Sequence, residues 1–206
     1  IPSVLPSAPS GHGLTPTQLR RRAVSRSLAE NGYVEVLPFP FVDARTWDAF
    51  GLPADDVRRR TVRVLNPLDA ERAELATTLL PGLLDMLARN RSRGLTDVAL
   101  YTLGQVVLPH RNPVPMPEPG VDSRPTDAEI AQIEAALPAQ PLHVGAVLAG
   151  DREARGWWGA GRAVSWADAV DAALLAGRAA GVELRVEKAE LAPWHPGRCA
   201  SLRVGD

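Results

Sequence analysis

A histidine and the sole cysteine of the chain lie four residues apart in the segment Trp194-His195-Pro196-Gly197-Arg198-Cys199. An imidazole beside a thiol can activate a cysteine nucleophile, so this segment permits a Cys–His hydrolase. Pro196 and Gly197 instead predict a turn, and Cys199 begins an apolar stretch that is typical of a strand. Since a free cysteine is usually a small buried hydrophobic residue, we favour the structural interpretation and keep hydrolysis as the alternative.

Two adjacent tryptophans are enclosed by glycines in the segment Gly156-Trp157-Trp158-Gly159-Ala160-Gly161-Arg162. Exposed indole rings stack on nucleobases and other flat rings, so the pair could form a small binding platform. Tryptophans between glycines also serve as packed wedges in loops, and from the sequence we favour that interpretation.

Arginines occur in clusters that could contact nucleic-acid phosphates. The chain has 23 Lys plus Arg against 24 Asp plus Glu, and its net charge is −1. This balance argues against a general electrostatic nucleic-acid binder. We therefore expect solvated surfaces, with direct RNA contact as the alternative. The clusters are Arg20–Arg22 with Arg26, Arg58–Arg60 with Arg63, and Arg89, Arg91 and Arg93.

Standard cofactor, metal and membrane signals are missing from the sequence. Neither G-x-G-x-x-G nor G-x-x-x-x-G-K-[ST] occurs, and H-E-x-x-H and G-x-S-x-G are also absent. A single cysteine excludes an internal disulfide and a cysteine-rich zinc site. No stretch approaches about 18 consecutive apolar residues, so no membrane span is expected. The residues by themselves predict a folded scaffold without an evident active site.

The clearest element is a helix followed by a strand near the start of the chain. Thr15 and Gln18 can form a capping box, Pro16 suits the first helical turn, and Gly32 is the expected end. A strand is expected over 33–37, ended by prolines at 38 and 40. One apolar stripe is predicted at helical spacing from Leu19, Ala23, Val24 and Leu28, and it must face either the sheet of its own chain or another surface.

Further helices and strands follow in an irregular order. Helices are expected over 43–50, 79–93, 126–137 and 165–180, and strands over 60–65, 97–108, 143–149, 182–186 and 200–204. Residues 152–164 are expected to be a connection rich in glycine and tryptophan. Because strict strand–helix–strand alternation fails, we predict an α+β fold with a mostly antiparallel sheet.

A proline-rich segment over 109–125 interrupts this pattern, with six prolines in 17 positions. We expect a mobile loop, because the segment offers almost nothing apolar to bury. A polyproline ligand for an interaction domain is the alternative, which would make the chain a stand-alone interaction or scaffold domain. Residues 1–14 are expected to be an extended lead-in from an upstream domain, and 15–206 one core domain. Both ends read as cut from a longer chain.

Several segments, in order along the chain, carry a family resemblance. They are the helix–strand unit over 14–36, Asn66-Pro67-Leu68, Thr77-Thr78-Leu79-Leu80-Pro81-Gly82-Leu83-Leu84, Asp97-Val98-Ala99-Leu100-Tyr101-Thr102-Leu103-Gly104 and His195-Pro196-Gly197-Arg198. Together they resemble the core region of the bacterial phenylalanyl-tRNA synthetase beta subunit. The richness in arginine and alanine is typical of an actinobacterial member.

The resemblance implies a class II aminoacyl-tRNA synthetase-like fold, an antiparallel sheet flanked by helices, in a catalytically inactive copy. It also implies an α2β2 enzyme of the cytoplasm whose alpha subunit carries the active site and which uses ATP, magnesium and tRNA. A working class II site needs a G-x-G-x-x-x-R element, and Gly159-Ala160-Gly161-Arg162 has a different spacing. We therefore expect no catalytic, cofactor-binding or metal-binding residue in this chain.

The resemblance further implies a subunit interface. The unit from Thr15 to Pro40, a helix, a strand and a proline, has the layout of the class II dimerisation motif. An ordinary helix–strand pair is the alternative. We predict that this unit contacts the alpha subunit through Leu19, Arg26, Leu28, Tyr33, Val36 and Pro38.

Overall fold

The computed structural model describes residues 3, 11, 13–112 and 114–205, and over these ranges the chain combines helices with short strands. The helices are α1 (Pro16–Glu30), α2 (Arg45–Ala49), α3 (Leu80–Ser92), α4 (Asp127–Ala136) and α5 (Trp166–Ala179), with a 3-10 turn at Val57–Arg59. The strands are β1 (Val34–Glu35), β2 (Phe41–Val42), β3 (Glu74–Leu75), β4 (Val98–Gln105), β5 (Leu142–Ala149), β6 (Asp151–Glu153), β7 (Arg162–Ala163), β8 (Leu184–Ala189) and β9 (Cys199–Val204).

Strand β4 is the centre of the main sheet. β1 pairs with it in parallel and β5 pairs with it antiparallel, so the strand order is β1-β4-β5. The β4–β5 register runs without a break from Val98 opposite Ala149 to Gln105 opposite Leu142. The other described strands form antiparallel pairs, β2–β3, β6–β7 and β8–β9. The predicted α+β class, with a mostly antiparallel sheet flanked by helices, is confirmed.

Both faces of β4 are buried, because helices cover the main sheet on each side. α1 and α5 pack together against one face, where Tyr101 and Leu103 join their apolar core. α3 covers the other face, where Leu83 forms a cluster with Val98 and Leu100. Successive side chains of a strand point to opposite faces, so a strand covered on both sides needs an almost continuous apolar run.

The predicted helix starts are formed by side chains close in sequence. The backbone N–H of Gln18 donates to Thr15 Oγ1 at 3.3 Å, and the N–H of Thr15 donates to Gln18 Oε1 at 2.8 Å. Thr126 and Glu129 repeat this reciprocal arrangement at the start of α4. Gly32 follows α1 with a φ of +83°, a left-handed conformation that favours glycine, so the predicted end is confirmed too.

A smaller core cluster lies around α2. Trp47 is 2% exposed and packs with Val42 and Leu52. Arg59 fixes the chain that leaves this cluster, because its guanidinium donates to the carbonyl of Leu52 at 2.6 Å and pairs with Asp48 at 2.7 Å. The long side chain thus satisfies a backbone carbonyl that no strand or helix pairs.

Some elements differ from the prediction. The strand expected over 60–65 is wrong, since Arg63 forms only an isolated bridge with Glu74. The strand expected over 33–37 is shortened to the two residues of β1. Residues 152–164 are not a plain connection, because they contain part of the β6–β7 hairpin. Two-residue strands such as β2 and β3 are too short to show the alternation of apolar and polar residues from which a strand is predicted.

Within 109–125, the described residues form no helix or strand, and the expected mobility stays a prediction. Most of the lead-in expected over 1–14 lies outside the described residues. No helix in the part of the chain that the structure describes is both long enough and apolar enough to cross a membrane.

Replacing Leu28 by alanine tests the core between α1 and α5. Leu28 is 1% exposed, so Leu28→Ala should lower the free energy of unfolding by about 2–5 kcal/mol through lost burial and a residual cavity. Leu19→Ala is the matched control on the same helix, because Leu19 is 53% exposed and should cost less than about 1 kcal/mol. Urea unfolding followed by circular dichroism measures both. Equal losses would contradict this assignment of the buried face.

Candidate subunit-interface surface

Helix α1 divides its apolar residues between two sides. Val24 and Leu28 are buried against α5 and the sheet, whereas Leu19 and Ala23 are exposed. The predicted single stripe is therefore wrong. Positions 19 and 23 are neighbours along one helix face, and positions 24 and 28 along another, and only the second pair meets the core.

The outward face of α1 combines one apolar residue with positive charge. Leu19, Arg22 and Arg26 are spaced three and four residues apart, so they lie on the same side of the helix, and all three are exposed. The helix holds no acidic residue before Glu30, and these arginines are not neutralised within it. This face can contact an apolar surface that carries acidic groups.

The chain after β1 continues along the edge of the main sheet with alternating exposure. The N–H of Val36 donates to β4 at 2.8 Å, and Pro38 packs so closely on Gly82 that a Cβ at position 82 would lie 2.7 Å from the Pro38 Cβ. Leu37 and Phe39 are each 80% exposed. The sequence interpretation missed these two residues, although strict period-two alternation around Val36 and Pro38 would have indicated them.

Two of the six predicted interface residues lie in the core of this chain. Leu28 is 1% exposed and Tyr33 is 5% exposed. The Arg152 guanidinium lies 5.1 Å from the centre of the Tyr33 ring, and burial raises the pKa of Tyr33 above its ordinary value although Arg152 opposes this. A side chain covered by its own chain cannot reach a partner, so the prediction is wrong for these two. The interface role stays a prediction for Leu19, Arg26, Val36 and Pro38.

A polar cluster joins α1 to both β1 and β4. The Tyr101 hydroxyl lies 2.9 Å from Ser25 Oγ and donates to the Ser25 carbonyl at 3.0 Å or to Glu35 Oε2 at 3.3 Å. Ser25 Oγ also lies 3.2 Å from Glu35 Oε2. Burial raises the pKa of Tyr101, and the nearby Glu35 carboxylate acts in the same direction. The neutral hydroxyl therefore holds helix and edge strand in a fixed relation.

A second polar cluster fixes the start of α5. Asp168 accepts hydrogen bonds from both terminal nitrogens of Arg162, at 2.8 and 2.9 Å, and from the Ser165 N–H at 2.7 Å. The Arg162 guanidinium, followed by the Ser165 N–H, holds the pKa of Asp168 well below its usual range. Asp168 is therefore a structural carboxylate, and it ties the β6–β7 hairpin to the helix.

The other candidates from the sequence are not assembled into a reactive centre. His195 is exposed and lies in a turn, where its backbone carbonyl accepts a hydrogen bond from the Arg198 N–H at 3.0 Å. Cys199 is half-buried and lies opposite Ala189 in the β8–β9 hairpin. No hydrogen bond joins His195 to Cys199 in the described ranges. Over those ranges there is also no group of three or more His, Cys, Asp or Glu that could hold a metal ion.

The arginine clusters have different local roles. Arg58 pairs with Asp56 at 2.7 Å and lowers the pKa of that carboxyl to about 2, and Arg59 pairs with Asp48. These two arginines are structural. The α1 and α3 arginines instead lie mostly on the exposed surface.

An open groove of about 730 Å³ lies between α5, β5 and the β8–β9 hairpin. Its walls are mostly apolar, with Trp166 and Trp194 among the lining residues, and Lys188 and Arg198 are its basic side chains. This arrangement offers apolar contact and no clustered carboxylates for acid–base chemistry.

Comparison with known proteins gives a match over the whole chain. The family model described as "Phenylalanyl tRNA synthetase beta chain CLM domain" matches residues 1–206. Curated proteins named phenylalanine--tRNA ligase beta subunit are 59% identical in Mycolicibacterium paratuberculosis, 57% in Nocardia farcinica and 53% in Thermobifida fusca, and the matches cover 99–100% of this chain. The chain spans about a quarter of the length of these relatives, 24–25%.

Solved structures give partial matches. A pyrrolysyl tRNA synthetase from Desulfitobacterium hafniense is 14% identical with a TM-score of 0.44, and the match covers 82% of this chain and 49% of that one. A histidine--tRNA ligase subunit from Alicyclobacillus acidocaldarius is 15% identical with a TM-score of 0.46, covering 90% and 45%. The class II character expected from the sequence therefore depends on the family match and not on these two structures.

Acid sensitivity tests the structural role of Asp168. Its folded pKa lies below the unfolded value of about 3.9, so its stabilisation is complete above about pH 4 and is lost as the pH falls further, through the folded pKa. Asp168→Asn should lower the free energy of unfolding by about 1–3 kcal/mol at pH 7. Below pH 4, the free energy of unfolding of this variant should fall less steeply with pH than that of the wild type. Exposed Asp171→Asn on the same helix is the control, measured by urea unfolding across pH. If Asp168→Asn showed the same dependence of the free energy of unfolding on pH as the wild type, this structural role would be excluded.

Proposed function

The chain belongs to the phenylalanyl-tRNA synthetase beta chain family, and from this we propose that it is a non-catalytic core of the beta subunit that supports an alpha subunit in charging tRNA with phenylalanine. The observation that carries the proposal is the continuous family match over residues 1–206, together with relatives of 53–59% identity over 99–100% of the chain. The reaction, attachment of the amino acid with ATP during translation in the cytoplasm, is assigned to the whole enzyme.

A supporting role agrees with how this chain uses its polar side chains. Asp168 secures a helix start, Arg59 holds a loop carbonyl, and Tyr101 joins a helix to two strands. Each of these groups is engaged in the fold and so is not available for acid–base chemistry. ATP and magnesium are assigned in this proposal to the whole enzyme, as the family resemblance implies. A Cys–His hydrolase has less support, because no hydrogen bond joins His195 to Cys199 in the described ranges, and a stand-alone scaffold has less support than the family match over residues 1–206.

The surface that we assign to the alpha subunit has two parts. The first is the outward face of α1 with Leu19, Arg22 and Arg26, and the second is the edge segment with Leu37 and Phe39. Stable subunit interfaces have an apolar centre and a polar rim, and Leu37 and Phe39 supply apolar area while the arginines supply charge. The fitting partner surface is apolar with acidic groups at its margin, in an α2β2 assembly.

The division of labour predicts where activity resides. Full-length beta subunit purified without alpha subunit should give no phenylalanine-dependent ATP–pyrophosphate exchange above a buffer blank. The assembled enzyme should give exchange and charge tRNA, because the reacting groups are supplied by the alpha subunit. Exchange by beta subunit that is free of alpha subunit would overturn the non-catalytic assignment.

Charge reversal at Arg26 tests the interface without disturbing the core. In full-length beta subunit, Arg26→Glu should lower the fraction assembled with alpha subunit in sedimentation velocity, equivalent to about a tenfold or greater loss of affinity, because like charges would meet at the rim. Leu37→Asp should act in the same direction by removing apolar contact. Exposed Arg111→Glu is the matched charge control and should assemble normally. Normal assembly by both folded test variants would remove this surface from the interface.

A further inference from the structure

The tip of the β6–β7 hairpin presents two tryptophans to solvent. Gly156 and Gly159 exchange backbone hydrogen bonds of 3.0 and 3.1 Å, so Trp157 and Trp158 form the two-residue turn between them. Trp157 is 94% exposed and Trp158 is 67% exposed. The packed wedge favoured from the sequence is therefore wrong. Neither ring serves the core, and the subunit surface assigned above does not include them.

The two rings are held in a defined arrangement. They meet edge to face, with centres 5.7 Å apart and planes at 79°. The Trp158 ring lies directly over Gly156, because a Cβ at position 156 would come within 2.5 Å of it. Trp158 thus packs against the backbone of its own turn and contacts the Trp157 ring. The more exposed ring of Trp157 is left with an open face.

The base of the hairpin is anchored to α5. Arg162 pairs with Glu153 across the hairpin at 3.1 Å and with Asp168 at 2.8 Å. Gly161, with a φ of +77°, allows the strands to approach, since a Cβ there would lie 2.5 Å from the Glu153 carbonyl oxygen. These contacts give the aromatic tip a fixed position on the protein, which reduces the entropy lost when it binds a ligand.

The charge beside the tip is positive. Arg155 is exposed, and within the described ranges it forms no ion pair or hydrogen bond. Glu153, the nearest acid along the hairpin, is paired with Arg162, which it shares with Asp168. The other acid, Asp151, lies at the base, where its N–H donates to Asp97 at 2.9 Å. An aromatic face with an unpaired arginine two residues away suits a stacked nucleobase and its phosphate.

We propose that this hairpin tip is a stacking site for an unpaired base of tRNA, with Trp157 against the base and Arg155 near an adjacent phosphate. The inference depends on the proposed function, which makes tRNA a ligand of the whole enzyme. A protein partner is less well matched, since an anchoring tryptophan usually lies inside a wider apolar patch. Between residues 151 and 163 the two tryptophans are the only large apolar side chains, and their neighbours are glycine, alanine and arginine.

The test uses full-length beta subunit assembled with alpha subunit, and tRNA that accepts phenylalanine. Trp157→Ala and Trp157→Leu should each raise the Kd for tRNA about fivefold or more in filter binding at fixed salt. Trp157→Phe, which keeps an aromatic face, should stay close to the wild type. Val121→Ala, at another apolar position that is 99% exposed, is the control and should not change the Kd.

The arginine is tested through its salt dependence. Arg155→Ala should raise the Kd and reduce the slope of log Kd against log salt concentration by about one. Sedimentation velocity on every variant measures assembly in parallel. A loss of assembly by the Trp157 variants, with unchanged tRNA affinity of the complexes that remain, would overturn the proposal in favour of a protein contact.

Two further outcomes separate this inference from the proposed function. If Trp157→Ala and Trp157→Leu bind tRNA and assemble as the wild type does, the stacking site is excluded while the proposed function stands. If the wild-type beta subunit neither assembles with alpha subunit nor supports tRNA charging, the proposed function itself fails. Equal losses for Leu and Phe at position 157 would exclude aromatic stacking as the cause.

Discussion

Strand β4 must be covered on both of its faces, and the rest of the described chain is arranged to meet that requirement. Tyr101 and Leu103 need apolar partners on one side, and Val98 and Leu100 need them on the other. α1 and α5 supply the first layer and α3 the second. Because apolar burial is the dominant favourable contribution to folding, the positions of these helices follow from the strand between them.

The cover on β4 also decides what remains outside. With Leu28 directed into the core, α1 must turn Arg22 and Arg26 outward, and Tyr101 fixes this orientation through Ser25. The edge segment after β1 exposes Leu37 and Phe39 because the alternate residues, Val36 and Pro38, are held against the sheet and α3. The surfaces assigned to partners are thus consequences of core packing. The paired arginines, in contrast, serve local purposes such as caps and loop carbonyls.

Signals that act between neighbours in sequence were sufficient to predict most helices and the long strands. Thr15 with Gln18, and Thr126 with Glu129, satisfy backbone groups within one turn, so their effect does not depend on the rest of the fold. Gly32 ends α1 for an equally local reason. The α+β class follows from the order of such elements. The family resemblance, carried by ordered segments, is likewise a property of the sequence.

Tertiary structure alone decided which side of each element is used. Leu19 and Leu28 lie on opposite sides of α1, and only the positions of α5 and the sheet select the side with residue 28 for burial and leave residue 19 exposed. Tyr33 is covered by residues distant in sequence, because it belongs to the core cluster with Tyr101 and Ala172 and Arg152 lies over its ring. Trp157 is exposed because it lies in the two-residue turn at the tip of the hairpin. The sequence by itself determined where helices start and end, since those hydrogen bonds close within a few residues. Burial and exposure depend on contacts between residues far apart along the chain, so they exist only once the chain has folded.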